Sequence, residues 1–120
     1  MPEPDRVHLV TPPPPPDGLS PEGVRLWETT VETWDLTEPN RELLAAGLHE
    51  LDTYRKCREI LEEDGPLLEA PSGLRKPHPA LAAGHAALRA YRQCLQALDL
   101  EIPDPDPLPR ARGSRSRGRR

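Results

Sequence analysis

Apolar positions along this chain fall into three periodic stretches separated by proline- and glycine-rich breaks. The longest lies between Thr37 and Gly65. Leu44, Leu48, Leu51, Tyr54, Cys57 and Leu61 recur at three- and four-residue steps, which places them on one side of a helix. Leu43, Gly47 and Ile60 widen that stripe beyond a bare coiled-coil seam. The opposite side carries Glu42, Glu50, Asp52, Arg55, Lys56, Arg58, Glu59, Glu62 and Glu63. Thr37 suits an N-cap, Glu38 and Pro39 suit the first turn, and Asp64-Gly65-Pro66 supplies a stop. A helix this long with so wide an apolar face needs partners.

The flanking stretches can provide them. Ser20-Pro21-Glu22 reads as a helix start, and Val24, Trp27, Val31 and Trp34 follow on one stripe, with Leu26 beside them. This predicts a short first helix ending near Trp34. The tight Asp35-Leu36-Thr37 connection makes the first two helices either a helical hairpin or a helix-turn-helix-like pair. Residues 65–79 are rich in turn formers. Leu67, Leu68 and Leu74 there allow a short hairpin closed at Pro71-Ser72-Gly73. The last helix is expected from about Pro79, behind His78, to Asp99. Leu81, His85, Leu88, Tyr91 or Arg92, Leu95 and Leu98 keep close to a seven-residue repeat, and seven alanines leave a thin surface that a second helix can approach.

The expected fold is therefore all-α: a short helix and a long helix in a hairpin, a Pro/Gly-rich loop, and a closing helix. Tails expected to be disordered flank it, with boundaries at residues 1–18, 19–102 and 103–120. Pro12 to Pro16 read as a short polyproline II spacer. Of 120 residues none is Phe, and two Trp and two Tyr supply the aromatic bulk. So small a core makes oligomerisation a reasonable expectation, with Leu81, Leu88, Tyr91, Leu95, Leu98, Trp27 and Trp34 as its candidate contacts. No run approaches a membrane span and no signal-like apolar region opens the chain, so a cytosolic protein is expected. Cys57 and Cys94 read as small hydrophobes kept reduced there.

The net charge of −4 conceals a segregation. Residues 1–109 hold ten Lys/Arg and all twenty Asp/Glu, for −10, whereas residues 110–120 hold six Arg and no acid, for +6. Arg110, Arg112, Arg115, Arg117, Arg119 and Arg120, spaced by Gly and Ser, cannot fold alone but can follow a phosphate backbone without reading bases. The alternative is a solubilising tail, or one that docks on the acidic body. Arg75 and Lys76 form a second, smaller basic pair. The long helix carries four basic residues against eight acids, which makes it a poor recognition helix.

No catalytic constellation stands out. A Gly-rich phosphate loop, a local nucleophile signature and an HExxH-like pair are all missing, and the chain reads as a non-enzyme without a cofactor. His78, His85 and Cys94 are the loose metal candidates, but their spacing does not set them on one helix face as a ligand group.

An ordered set of features resembles the small subunit of bacteriophage terminases. Leu26-Trp27 lies in a short first helix, and Leu36-Thr37-Glu38 forms the turn. Asp52-Thr53-Tyr54-Arg55-Lys56 and Glu59-Ile60-Leu61-Glu62-Glu63-Asp64-Gly65 close the long helix. Ser72-Gly73-Leu74-Arg75-Lys76-Pro77-His78-Pro79-Ala80 and a final helix to Leu98-Asp99-Leu100 follow. The resemblance covers about residues 19–102 and departs at Asp104-Pro105-Asp106-Pro107, where the family commonly passes directly into Ser/Arg-rich residues. It implies a non-catalytic, helical, ring-forming protein of the host cytoplasm. Such a protein binds double-stranded viral DNA at packaging initiation and regulates the large ATPase-nuclease subunit. The arginines at 110–120, with Arg75 and Lys76, would touch DNA, and the helices would carry assembly. Two other classes compete: a small helix-turn-helix transcriptional regulator using residues 20–64, and an RNA-binding or scaffolding protein.

Overall fold

A computed structural model of the chain describes residues 12–110. In order, it comprises α1 (Pro21–Thr33), α2 (Glu38–Asp64), β1 (Leu67–Glu69), β2 (Arg75–Pro77) and α3 (Pro79–Leu98). The architecture is mostly helical, with one small antiparallel strand pair added. Leu67, Leu68 and Glu69 face Pro77, Lys76 and Arg75, and Gly73 at φ +88° supplies the tip.

α2 is the axis. Thr37 Oγ1 accepts the Asn40 N–H at 3.3 Å, and Gly65, at φ +85°, returns its N–H to the Leu61 carbonyl. Leu44, Leu48, Leu51, Tyr54, Cys57 and Leu61 are all buried, as their spacing requires. At about 1.5–3 kcal/mol for each large apolar side chain removed from water, this row is the main stabilising term of the fold.

α3 packs antiparallel on α2 at very close range. A Cβ built on Gly47 would stand 2.9 Å from the Cys94 Cβ, and one on Gly84 would stand 3.3 Å from the Cys57 Cβ. Ten residues forward on α2 thus correspond to ten residues back on α3. This approach selects small side chains, and the buried face of α3 is Ala80, Gly84, Ala87, Tyr91, Leu95 and Leu98. The Leu81–His85–Leu88 line read as its apolar stripe is displaced from that face by about 100°, one residue of helical rotation. Leu81 and Leu88 are half-buried on its flank and His85 is exposed.

α1 turns back on α2, and its start is tied to the middle of that helix. Asp52, read above as part of the solvated face, is the fastening. Its carboxylate accepts the Ser20 N–H and the Ser20 hydroxyl, both at 2.7 Å, while Ser20 Oγ caps α1 by accepting the Gly23 N–H. The side chain that keeps Ser20 at the level of Asp52 makes α1 run alongside the first half of α2. A Cβ at Gly23 would come within 3.2 Å of Asp52 Oδ1, so this contact also depends on a missing side chain. Trp27 is buried, Val24 and Val31 are half-buried, and Trp34 is 47% exposed. The helix ends at Thr33, and Trp34 has extended backbone, so it no longer continues the stripe.

Residues near both tails are also part of the packed unit. Trp27 Nε1–H donates to the Pro13 carbonyl at 3.0 Å, which holds the proline run against α1. After α3, Asp99 adopts the left-handed conformation (φ 59°), and Leu100 N–H reaches back to Leu95 O in the manner of a Schellman cap. The chain then returns along the helices as a strap whose Leu100 and Leu108 are buried. Residues 103–110, expected above in the disordered tail, form the outer half of this strap.

Replacing Asp52 with Ala removes a half-buried acceptor that serves two donors at once. We expect a loss of about 2–3 kcal/mol in urea unfolding, with Trp27 fluorescence shifting toward that of an exposed indole as α1 detaches. Asp52→Asn should retain part of this stability.

Candidate nucleic-acid interface

The basic residues singled out in the sequence fall in two places. Arg75 and Lys76 sit in β2, both exposed on a hairpin that projects from the loop between α2 and α3. Arg110 is exposed at the end of the strap. Arg112, Arg115, Arg117, Arg119 and Arg120 lie outside the described residues.

The strap determines where the arginine segment begins. Asp104 receives Arg92 Nη2 at 2.8 Å and Arg92 Nε at 3.3 Å, a two-point contact. Two residues on, the Asp106 carbonyl accepts the Tyr54 hydroxyl at 2.6 Å, and its carboxylate lies 3.4 Å from Arg58 Nη2. Arg58 is shared with Glu62 at 3.2 Å. Leu108 then fills the recess above Gly84, where a Cβ would stand 2.9 Å from its Cδ1. The alternating prolines favour this extended course and provide carbonyls without competing N–H donors. A groove between strap and helices is lined by Leu81, His85, Leu88 and Arg92. Nothing in the spacing of residues 103–109 suggested that Tyr54 and Arg92 would be its anchors.

The electrostatics match this geometry. The hydrogen bond from Arg92 holds the Asp104 carboxyl below its ordinary 3.8, and the same bond strengthens protonation of Arg92. Burial pushes the Tyr54 phenol above 10, so it keeps its proton for Asp106 through the neutral range. Both thiols are free and raised by burial, as expected of packing residues and not of nucleophiles.

The remaining candidates are placed as follows. Tyr91, Leu95, Leu98 and Trp27, expected as subunit contacts, belong to the chain's own core, because the α2–α3 and α1–α2 interfaces cover them. Leu81, Leu88 and Trp34 keep accessible surface. His78 is engaged through both ring nitrogens. Its Nδ1 accepts the Ala80 N–H at 3.0 Å as the cap of α3, which leaves the proton on Nε2, 3.0 Å from Asp64 at the end of α2. Among the described residues no three His, Cys, Asp or Glu side chains converge on a metal position. No described helix is long and apolar enough to cross a membrane.

The fastening at Asp104 should be sensitive to acid. Its pKa is lowered in the folded state, so its contribution is complete above the ordinary carboxylate range and is lost as pH falls through its folded value. Limited proteolysis after residue 103 should therefore accelerate below about pH 3.8. Arg92→Ala should show the faster rate already at neutral pH.

The strap also corresponds to a boundary seen in comparison with known proteins. The family model for the phage terminase small subunit matches residues 24–108, from the first turn of α1 to Leu108, the last buried leucine of the strap. No curated protein and no solved structure matches the chain. The match spans most of the chain, from the first turn of α1 through α2, the hairpin and α3 to Leu108 of the strap, and the chain belongs to the phage terminase small-subunit family.

Proposed function

We propose that this chain is the non-catalytic adaptor of a DNA-packaging terminase. It assembles with copies of itself in the host cytoplasm, binds double-stranded viral DNA, and recruits and regulates the large ATPase-nuclease subunit. The observation that carries the DNA reading is the segregation of charge, with six arginines and no acid after residue 109 against −10 before it. A body of that sign repels a polyanion, so the contact falls to the tail, with Arg75 and Lys76 assisting. Assembly is assigned to surface left uncovered by the monomer's own packing, chiefly Leu81, Leu88 and Trp34.

The first test removes residues 111–120 and leaves the strap intact. Light scattering should give one mass of many subunits for both chains, because assembly resides in the helices. The six tail arginines should contribute a log–log salt slope of roughly −5 to duplex DNA affinity, bringing the full chain to roughly −7 with Arg75 and Lys76, and the shortened chain should lose most of that dependence. A monomer in both cases would overturn the assembly reading. Undiminished binding by the shortened chain would transfer the DNA contact to the helical body, as a regulator would have it. Preference for single-stranded RNA over duplex DNA in direct competition would favour the scaffolding class.

A further inference from the structure

The exposed large apolar side chains of the described residues gather toward the two ends of α2. Trp34 precedes its first turn and is 47% exposed, whereas Leu68 and Leu74 follow its last turn at 41% and 63%. A helix of 27 residues is about 40 Å long, so the two sets cannot cover each other within one chain.

The hairpin presents its leucines on one face. Leu68 faces Lys76 across the strands, and the Ala70 N–H donates to the Leu74 carbonyl at 2.7 Å, which extends the ladder by one pair. Cross-strand partners and alternate residues share a face. Leu68, Ala70, Leu74 and Lys76 therefore stand together, while Glu69 and Arg75 face the other way. That face is apolar, with Lys76 as its single charge. A strand pair this short gains little stability by itself and needs something packed on it.

The opposite end of α2 has the complementary character. Glu32, Asp35, Glu38 and Glu42 are exposed around Trp34, and Arg41 is the one base between them, for a net −3. Arg41 is occupied locally, its Nη1–H donating to the Leu36 carbonyl at 2.9 Å. Among the described residues none of the four carboxylates joins an ion pair. An exposed indole rimmed by charge is the kind of surface that marks a protein contact.

We propose that these two surfaces are the halves of one contact between copies of this chain. The leucine face of one hairpin packs on Trp34 of the next copy, and Lys76 enters the carboxylates around it. This rests on the assembly reading above and names what covers Trp34. Charge selects the occupant: +1 meets −3, whereas a second Trp34 corner would bring carboxylates against carboxylates. Because the two patches differ, the contact is heterologous, and its repetition closes a ring or extends a filament instead of stopping at a dimer.

Cross-linking of the full chain tests it. In a Cys57→Ala, Cys94→Ala background, with helicity checked by circular dichroism, Thr33→Cys is placed on one chain and Ser72→Cys on another. A short bismaleimide should join the mixed chains into a covalent dimer, and either variant alone should give far less. Adding Lys76→Glu or Leu74→Ser to the Ser72→Cys chain should lower the yield several-fold. Asp35→Lys on the Thr33→Cys chain should restore the yield against Lys76→Glu. Equal dimer from either variant alone, or a yield indifferent to Lys76→Glu and Leu74→Ser, would overturn the proposal. Light scattering of the parent chain separates the two readings. A parent multimer without the mixed cross-link would overturn this contact and leave assembly to Leu81 and Leu88, whereas a monomeric parent would overturn the assembly reading and this contact with it.

Discussion

The close approach of α2 and α3 is the constraint on which the rest of this structure depends. Gly47 lies under Cys94, and Cys57 lies under Gly84, so the two helices touch through small groups at two levels one antiparallel step apart. The first consequence is the composition of α3, whose contact face is alanine and glycine in its first half and opens to Tyr91, Leu95 and Leu98 in its second. The second is a recess. Gly84 has no side chain to cover the seam beside Cys57, and a leucine from outside the helices completes it. The strap is thus a result of the helix packing, because Leu108 has a place to go only where the helices leave one.

The same device appears at both ends of the described chain. Trp27 donates its indole N–H to the Pro13 carbonyl, and Tyr54 donates its hydroxyl to the Asp106 carbonyl. Each donor belongs to a buried aromatic ring. Proline-rich segments have few N–H groups of their own and an exposed row of carbonyls, so they suit a ring that is apolar across its face and polar at its tip. A chain of 120 residues without phenylalanine enlarges a small core in this way, by laying extended segments over the rings of its helices.

The row from Leu44 to Leu61 was legible because a uniformly apolar stripe on a long helix can face only inward. Its caps at Thr37 and Gly65 were legible because few residue types do that work. The alanines of α3 were legible as a surface that a second helix can approach, but which of them face α2, and that Gly84 lies among them, follows only from the close packing. Leucines at 81 and 88 outrank alanines at 80 and 87 on any apolar scale, yet only the alanines permit the approach. Asp52 was concealed by its neighbours, since one carboxylate among many gives no sign that it will meet Ser20, 32 residues earlier. The strap was obscured by composition. An acidic, proline-rich run looks soluble and unfolded until Arg92, Tyr54 and Arg58 are placed opposite it, and their positions follow from helix register. For the interface, the arginines were visible as charge, but their point of departure from the body was not.

That point of departure gives the charge segregation its physical meaning. In sequence, two aspartates at 104 and 106 stand immediately before the first tail arginine, where they would offset a third of its charge if the whole segment were free. In the structure Asp104 is held by Arg92, and Asp106 faces Arg58. Salt bridges this exposed stabilise little, but they direct the two carboxylates toward the helices and away from the chain that follows. Burial of Leu108 then separates the acidic half of the strap from Arg110. The sign change that appears in the sequence as a shift in composition is therefore a boundary in space. It falls just beyond Leu108, where the family match ends.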